Sequence, residues 1–232
     1  MPQHIASPEL PVLIPDIIHR PGERRRRAAA LGLGPRPPAG PRALDPSLTQ
    51  LRMSLTEVLI LDARDVGRGD IYLVSLVADG LGPEPIGLGV RTFEDIADGQ
   101  RLPLGPAGVA MYRRSAPLPA FLDYRILVAE SDQELRDAGT ILDEVRNDET
   151  FRSFRDSLLA VTGATVPAMT LATAAADFAM NLIARILKAN RDDQLIYVAG
   201  SFDAAFDDLG VPEGLIAHRN DFVEVKYQVE AA

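Results

Sequence analysis

A block of helical period, about residues 131–190, sits inside a chain that otherwise alternates like β-strands. No other feature restricts the fold as much. Leu48 to Leu61 reads as one long strand or two short ones, Asp70 to Ala78 as a second and Ile86 to Phe93 as a third. Gly108 to Tyr112 suits a short strand and Leu122 to Ala129 a long apolar one. Beyond the helical block, Leu195 to Ala199 and Phe222 to Val229 return to strand. The last segment puts Val223, Val225, Tyr227 and Val229 on one face and Glu224, Lys226 and Gln228 on the other. The closing strands are expected to join the first sheet. The expected fold class is α+β: an antiparallel β-sandwich-like domain over 48–232 with a three-helix insertion.

The insertion has its own signals. Ser131-Asp132-Gln133-Glu134 fits a capping box with Ser131 at the N-cap. Leu135, Ala138, Ile141, Leu142 and Val145 then share one helix face. A second helix is expected from about Asp148 to Val161, with Gly163 as its C-cap. Pro167 suits the first turn of a third. There Leu171, Ala175, Phe178, Leu182 and Ile186 form a stripe opposite Thr170, Thr173, Asp177, Asn181, Arg185 and Lys188. The polar face carries only two cations, so core packing is favoured over a membrane surface.

Residues 1–47 have a different character. They hold 10 of the 18 prolines and seven arginines against four acids. Proline blocks helix and central strand alike, so an extended or disordered arm is expected. Within it, Leu10 to Ile18 is apolar enough to dock as an extended strand. Arg24 to Arg27 suit an acidic surface, either the chain's own body or a neighbouring subunit. His4 and His19 fall in this arm, leaving His218 as the one histidine assigned to the folded body.

Composition removes several function classes. A net charge of −9 opposes nucleic acid as the main partner. The absence of cysteine removes disulfides, thiol catalysis and zinc–thiolate sites. There is no signal-peptide pattern, and no apolar run approaches the about 18–20 residues that span a membrane. The default expectation is a soluble cytoplasmic protein with no transmembrane segment. Neither a nucleophile elbow, a phosphate loop nor a dinucleotide fingerprint occurs. No catalytic or organic-cofactor residue is assigned.

Acidic residues cluster at strand ends. Asp62, Asp65 and Asp70 bracket the turn between the first two strands. Glu130 and Asp132 follow the Ile126-Leu127-Val128 strand, with Asp137 beyond. Calcium takes six to eight oxygens from such loops. The segments Gly69-Asp70-Ile71-Tyr72-Leu73 and Glu130-Ser131-Asp132 resemble the calcium- and lipid-binding β-sandwich domains of the synaptotagmin and protein kinase C type. That family has Ser-Asp-Pro-Tyr-Val at the first site and two acids one residue apart at the second. Here Ile71 replaces its proline, Glu130 replaces an aspartate, and its usual tryptophan is absent. The resemblance implies a calcium site from Asp65 and Asp70, supported by Asp62, Glu130 and Asp132, with lipid head groups or a protein as partner. The same acids also suit a solvated rim, and Ser131 as a helix cap needs no metal.

The expected function is a non-catalytic binding module, calcium-responsive through these loops. One alternative is a structural subunit of a homo- or hetero-assembly latched by the arm. Another is a carboxylate hydrolase using Asp203, Asp207 or Asp208, since paired acids suffice for glycoside hydrolysis.

Overall fold

The computed structural model describes residues 13–19, 48–63, 68–81, 84–131, 137–160, 166–187 and 194–232. In chain order the strands are β1 (Ile17–His19), β2 (Gln50–Ile60), β3 (Arg68–Ala78), β4 (Ile86–Ala97), β5 (Val109–Ser115) and β6 (Phe121–Ser131). Helices α1 (Ala138–Asn147), α2 (Glu149–Ala160) and α3 (Val166–Leu187) follow. The chain closes with β7 (Gln194–Asp203), a short 3-10 segment (Asp208–Glu213), β8 (Ile216–Arg219) and β9 (Val223–Ala231).

The strands form two sheets, ordered β1-β7-β6-β3-β4 and β5-β2-β9-β8. Every described pairing is antiparallel except β1 on β7. The sheets pack face to face over Leu51, Met53, Leu55, Ile71, Leu73, Ile126, Val198, Val225 and their neighbours. The helices cover the other face of the five-stranded sheet, giving a second apolar layer. The expected sandwich with a helical insertion is present, as helix, sheet, sheet.

This layering explains the strand patterns. β3 and β6 are buried on both faces, so Ile126-Leu127-Val128-Ala129 reads as an unbroken apolar run. β9 has one face in solvent, so it alternates. On that outer face Lys226 Nζ lies 2.7 Å from Glu57 Oε1 and 3.3 Å from Glu224 Oε1.

The helices differ from expectation in their starts. Ser131 is not a helix cap: it ends β6, paired with Asp70 of β3. The ladder takes its backbone, and α1 begins seven residues later. Asp137 is the N-cap there, and its Oδ2 accepts the Thr140 N–H at 3.0 Å. Gly163, the expected C-cap, lies outside the described residues. Asp148 separates α1 from α2, and its Oδ1 accepts the N–H groups of Thr150 and Phe151 at 2.9 and 3.0 Å. Asp148→Ala is expected to cost about 1 kcal/mol, read by urea unfolding.

α3 packs through Ala172, Ala175, Ala176, Ala179, Met180 and Ile183. The expected stripe agrees at Ala175 and Leu182, while Leu171 and Phe178 are only half-buried. Small residues carry the contact because alanine lets a helix lie close on a sheet.

Part of the arm belongs to the fold. Ile17, Ile18 and His19 pair with Val198, Ala199 and Gly200. The Leu13 N–H donates to Asn181 Oδ1 at 2.7 Å, and Asp16 Oδ2 accepts the Tyr197 N–H at 2.7 Å. Residues 13–18 of the apolar stretch therefore dock on the chain's own body. The rest of the arm, 1–12 and 20–47, lies outside the described residues.

Candidate functional site

Strand register brings the acidic connections to one end of the sandwich. Ile60 at the end of β2 faces Val223 at the start of β9. Arg68 at the start of β3 faces Ala97, and Asp70 faces Ser131. The β2–β3, β4–β5, β6–α1 and β8–β9 connections therefore share that end.

The described carboxylates there organise turns. Asp70 Oδ1 accepts the Asp95 N–H at 3.0 Å, and Asp98 Oδ1 accepts the Ala63 N–H at 2.8 Å. Asp95 has φ +60°, a region that aspartate tolerates, and pairs with Arg68. Asp62 is exposed, and its N–H donates to the Phe222 carbonyl. Glu130 is buried, and a side chain at Gly69 would overlap its Oε1.

Cross-strand partners share a face, whereas neighbours along a strand alternate. Ile71 pairs with Glu130 and Asp70 with Ser131. Asp70 and Glu130 therefore lie on opposite faces of the sheet. Among the described residues no three His, Asp or Glu side chains group closely enough to hold a metal ion. Asp62, Asp70 and Glu130 do not by themselves fit a cation. Asp65 and Asp132 lie outside the described residues.

Two polar clusters went unread in the sequence. The first lies between the sheets. His19 is buried, which corrects its assignment to a free arm. Its Nδ1 lies 3.0 Å from Tyr124 Oη, which lies 2.6 Å from Tyr227 Oη. His218 Nε2 is 2.9 Å from the same Tyr227 oxygen. Phe202 stacks on Tyr124 with centroids 5.2 Å apart. Burial, and then the Tyr227 hydroxyl, push the Tyr124 phenol well above its ordinary range. The four groups form one hydrogen-bonded chain joining β1, β6, β9 and β8.

The second cluster lies under the helices. Arg125 Nη1 donates to Asp123 Oδ1 at 2.5 Å and to the Tyr124 carbonyl at 2.8 Å. Its Nε and Nη2 both reach Asp177 Oδ1 of α3 at 2.9 Å. The Thr173 hydroxyl donates to Asp123 Oδ2 at 2.9 Å. The sequence carried a signal here. Asp123 and Arg125 stand two apart in an apolar strand, which places both on one face.

Burial pushes the Asp123 carboxyl up to about 6, against the lowering pull of Arg125 and Thr173. The folded state thus holds a proton that the unfolded chain releases near pH 4. The stability from this group is complete below about pH 4 and is lost as pH rises through about 6. The stability of the parent minus that of Asp123→Asn should fall by about 3 kcal/mol between pH 3 and 7, measured by urea unfolding.

The carboxylates of the hydrolase alternative shape a turn. Asp207 is fully buried, and its Oδ1 accepts the Asp203 N–H at 2.7 Å. Asp203 Oδ1 accepts the Ala205 N–H at 2.7 Å. Asp208, Leu209 and Gly210 follow in left-handed geometry, with φ of 51°, 56° and 80°.

No protein-family model and no curated protein matches this chain. Among the described residues no helix is long and apolar enough to cross a membrane.

Proposed function

We propose that this chain is a non-catalytic binding module that works through the loop end of its sandwich, with calcium as the candidate effector. The convergence of four connections at that end carries the reading. Asp62 and Asp70 stand there, and the sequence adds Asp65 and Asp132 to the same connections. Acids crowded at one end repel, and a cation or a basic partner relieves that repulsion. The buried Glu130 is the weakest member of the expected ligand set, because it faces away from Asp70.

Thermal unfolding with chelator, with millimolar calcium and with millimolar magnesium tests this. A ligand at about 100 times its Kd adds about 2.7 kcal/mol. The expected result is a calcium-specific rise that is lost in Asp65→Asn/Asp70→Asn. Coincident curves would remove calcium and leave the loop end as a solvated rim.

The seated β1 favours a second reading, a subunit latched through its arm. A chain that pairs residues 17–19 with β7 in one molecule has a segment suited to pairing with another. Light scattering of the full chain and of residues 20–232 separates the readings. A fall in mass supports assembly, and a monomer in both cases removes it.

A further inference from the structure

We propose that the His19–Tyr124–Tyr227–His218 chain is a pH-sensitive latch, which holds β1 in its sheet and releases it when both histidines are protonated. The device is independent of the loop-end and assembly readings.

The hydrogens in the chain set its direction. Its three links measure 3.0, 2.6 and 2.9 Å. Each link needs one hydrogen, and the two tyrosine hydroxyls supply two. The third therefore comes from a histidine ring N–H. When His218 donates at Nε2, Tyr227 donates to Tyr124 and Tyr124 donates to His19 Nδ1. When His19 donates, every bond reverses. A neutral pair of histidines satisfies either direction, and so does a pair carrying one added proton. Two added protons make His19 Nδ1 and His218 Nε2 both donors, and one hydroxyl hydrogen then has no place left in the chain.

Charge acts in the same sense. β1 and β8 are the last strands of their sheets, and the two imidazole rings lie 6.3 Å apart. His19 is buried, with the Phe202 ring of β7 edge-on at 5.1 Å, while His218 is half-buried. Two imidazolium ions so placed repel, and the buried one also loses its hydration. Among the described residues, the titratable groups around the pair are Tyr124 from β6, Tyr227 from β9 and Asp207 from the turn after β7. Asp207 is fully buried and acts on Tyr124, as does Asp123, which is turned toward Thr173 on the helix side. One carboxylate between the sheets balances one imidazolium, not two. The seated strand therefore tolerates one proton on the pair, whereas an open β1 puts His19 in water and the pair takes two. Acid favours the open form, because that form binds the extra proton. Histidine titrates between about pH 5 and 8, so release falls in that window.

Release withdraws the Leu13 and Asp16 amides from Asn181 and Tyr197. Hydrogen exchange at these two amides, taken relative to intrinsic rates, follows the strand. Long-range proton–nitrogen NMR spectra of the full chain, which has three histidines, follow ring protonation from about pH 8 to 5.5. The expected result is that His19 and His218 are never both charged while β1 is protected. The open fraction should rise up to about tenfold for each pH unit below about 6. His19→Gln, whose amide still donates and accepts, should abolish that rise. Asp123 responds to pH in the opposite sense and is common to both chains, so the difference between them isolates the latch. Protected β1 amides with both rings charged overturn the proposal. So does a parent without the rise, or the parental rise kept in His19→Gln. Should His19→Gln fail to fold, the spectra and exchange of the parent chain decide.

Discussion

Arg125→Ala is expected to lower stability by about 3–5 kcal/mol. The guanidinium is almost fully buried and serves two carboxylates and a carbonyl. Removing it leaves Asp123 with only the Thr173 hydroxyl in a layer closed to water. The damage comes from that orphaned carboxylate more than from the lost attraction. Replacing the pair together, as Asp123→Leu/Arg125→Met, should recover most of the loss, because both charges then leave the interior. For a domain of this size each kcal/mol moves the midpoint by about 2–4 °C, so the single variant should melt roughly 10 °C lower. A double variant no more stable than Arg125→Ala would show that the polar network is needed for the helices to seat.

Gly200→Ala is the second large effect, at about 3 kcal/mol. A Cβ there would overlap the Tyr124 hydroxyl and ring, with Cε1 only 2.7 Å away. Tyr124 is fully buried and stacked on Phe202, so the ring has nowhere to go. Its displacement also breaks the bonds to Tyr227 and His19. Gly200 pairs with His19 in the sheet, and the displaced Tyr124 ring is bonded to His19, so the disturbance is passed to the arm. Hydrogen exchange should show the β1 amides losing protection together with those of β7. Tyr124→Phe in the same chain should not rescue the variant, because the ring carbons collide as well as the hydroxyl. Full rescue would place the whole cost on the hydroxyl.

The two polar clusters show how far the sequence could be read. Leu122 to Ala129 was legible as a strand, since apolar character over eight residues is a local property. Its Asp123 and Arg125 were legible as sharing a face. That this face meets α3 depends on Asp177, which lies 52 residues further along. His19 was illegible in a different way. Proline and arginine around it signal an unpaired arm, and its seat is made by Tyr124, 105 residues away. The acidic loops were legible as loops. Their meeting at one end follows from register, as does the separation of Asp70 from Glu130 onto opposite faces.

Ser131 shows local signals in competition. Its residue type, with Glu134 three positions on, fits a capping-box pattern in the sequence, yet its backbone completes the β3–β6 ladder. The sheet prevails because the ladder is already ordered by its neighbours. Asp137, at the true start of α1, caps it by the same chemistry.

The sequence by itself determined the strand and helix periods, the α+β class and the place of the insertion. These depend on dihedral preference and side-chain spacing over a few residues. Only the tertiary structure decided the strand order, the seating of the arm and the His19–Tyr124–Tyr227–His218 chain. Each of these joins residues remote in the chain, and such contacts form only when burial repays the entropy of bringing distant segments together.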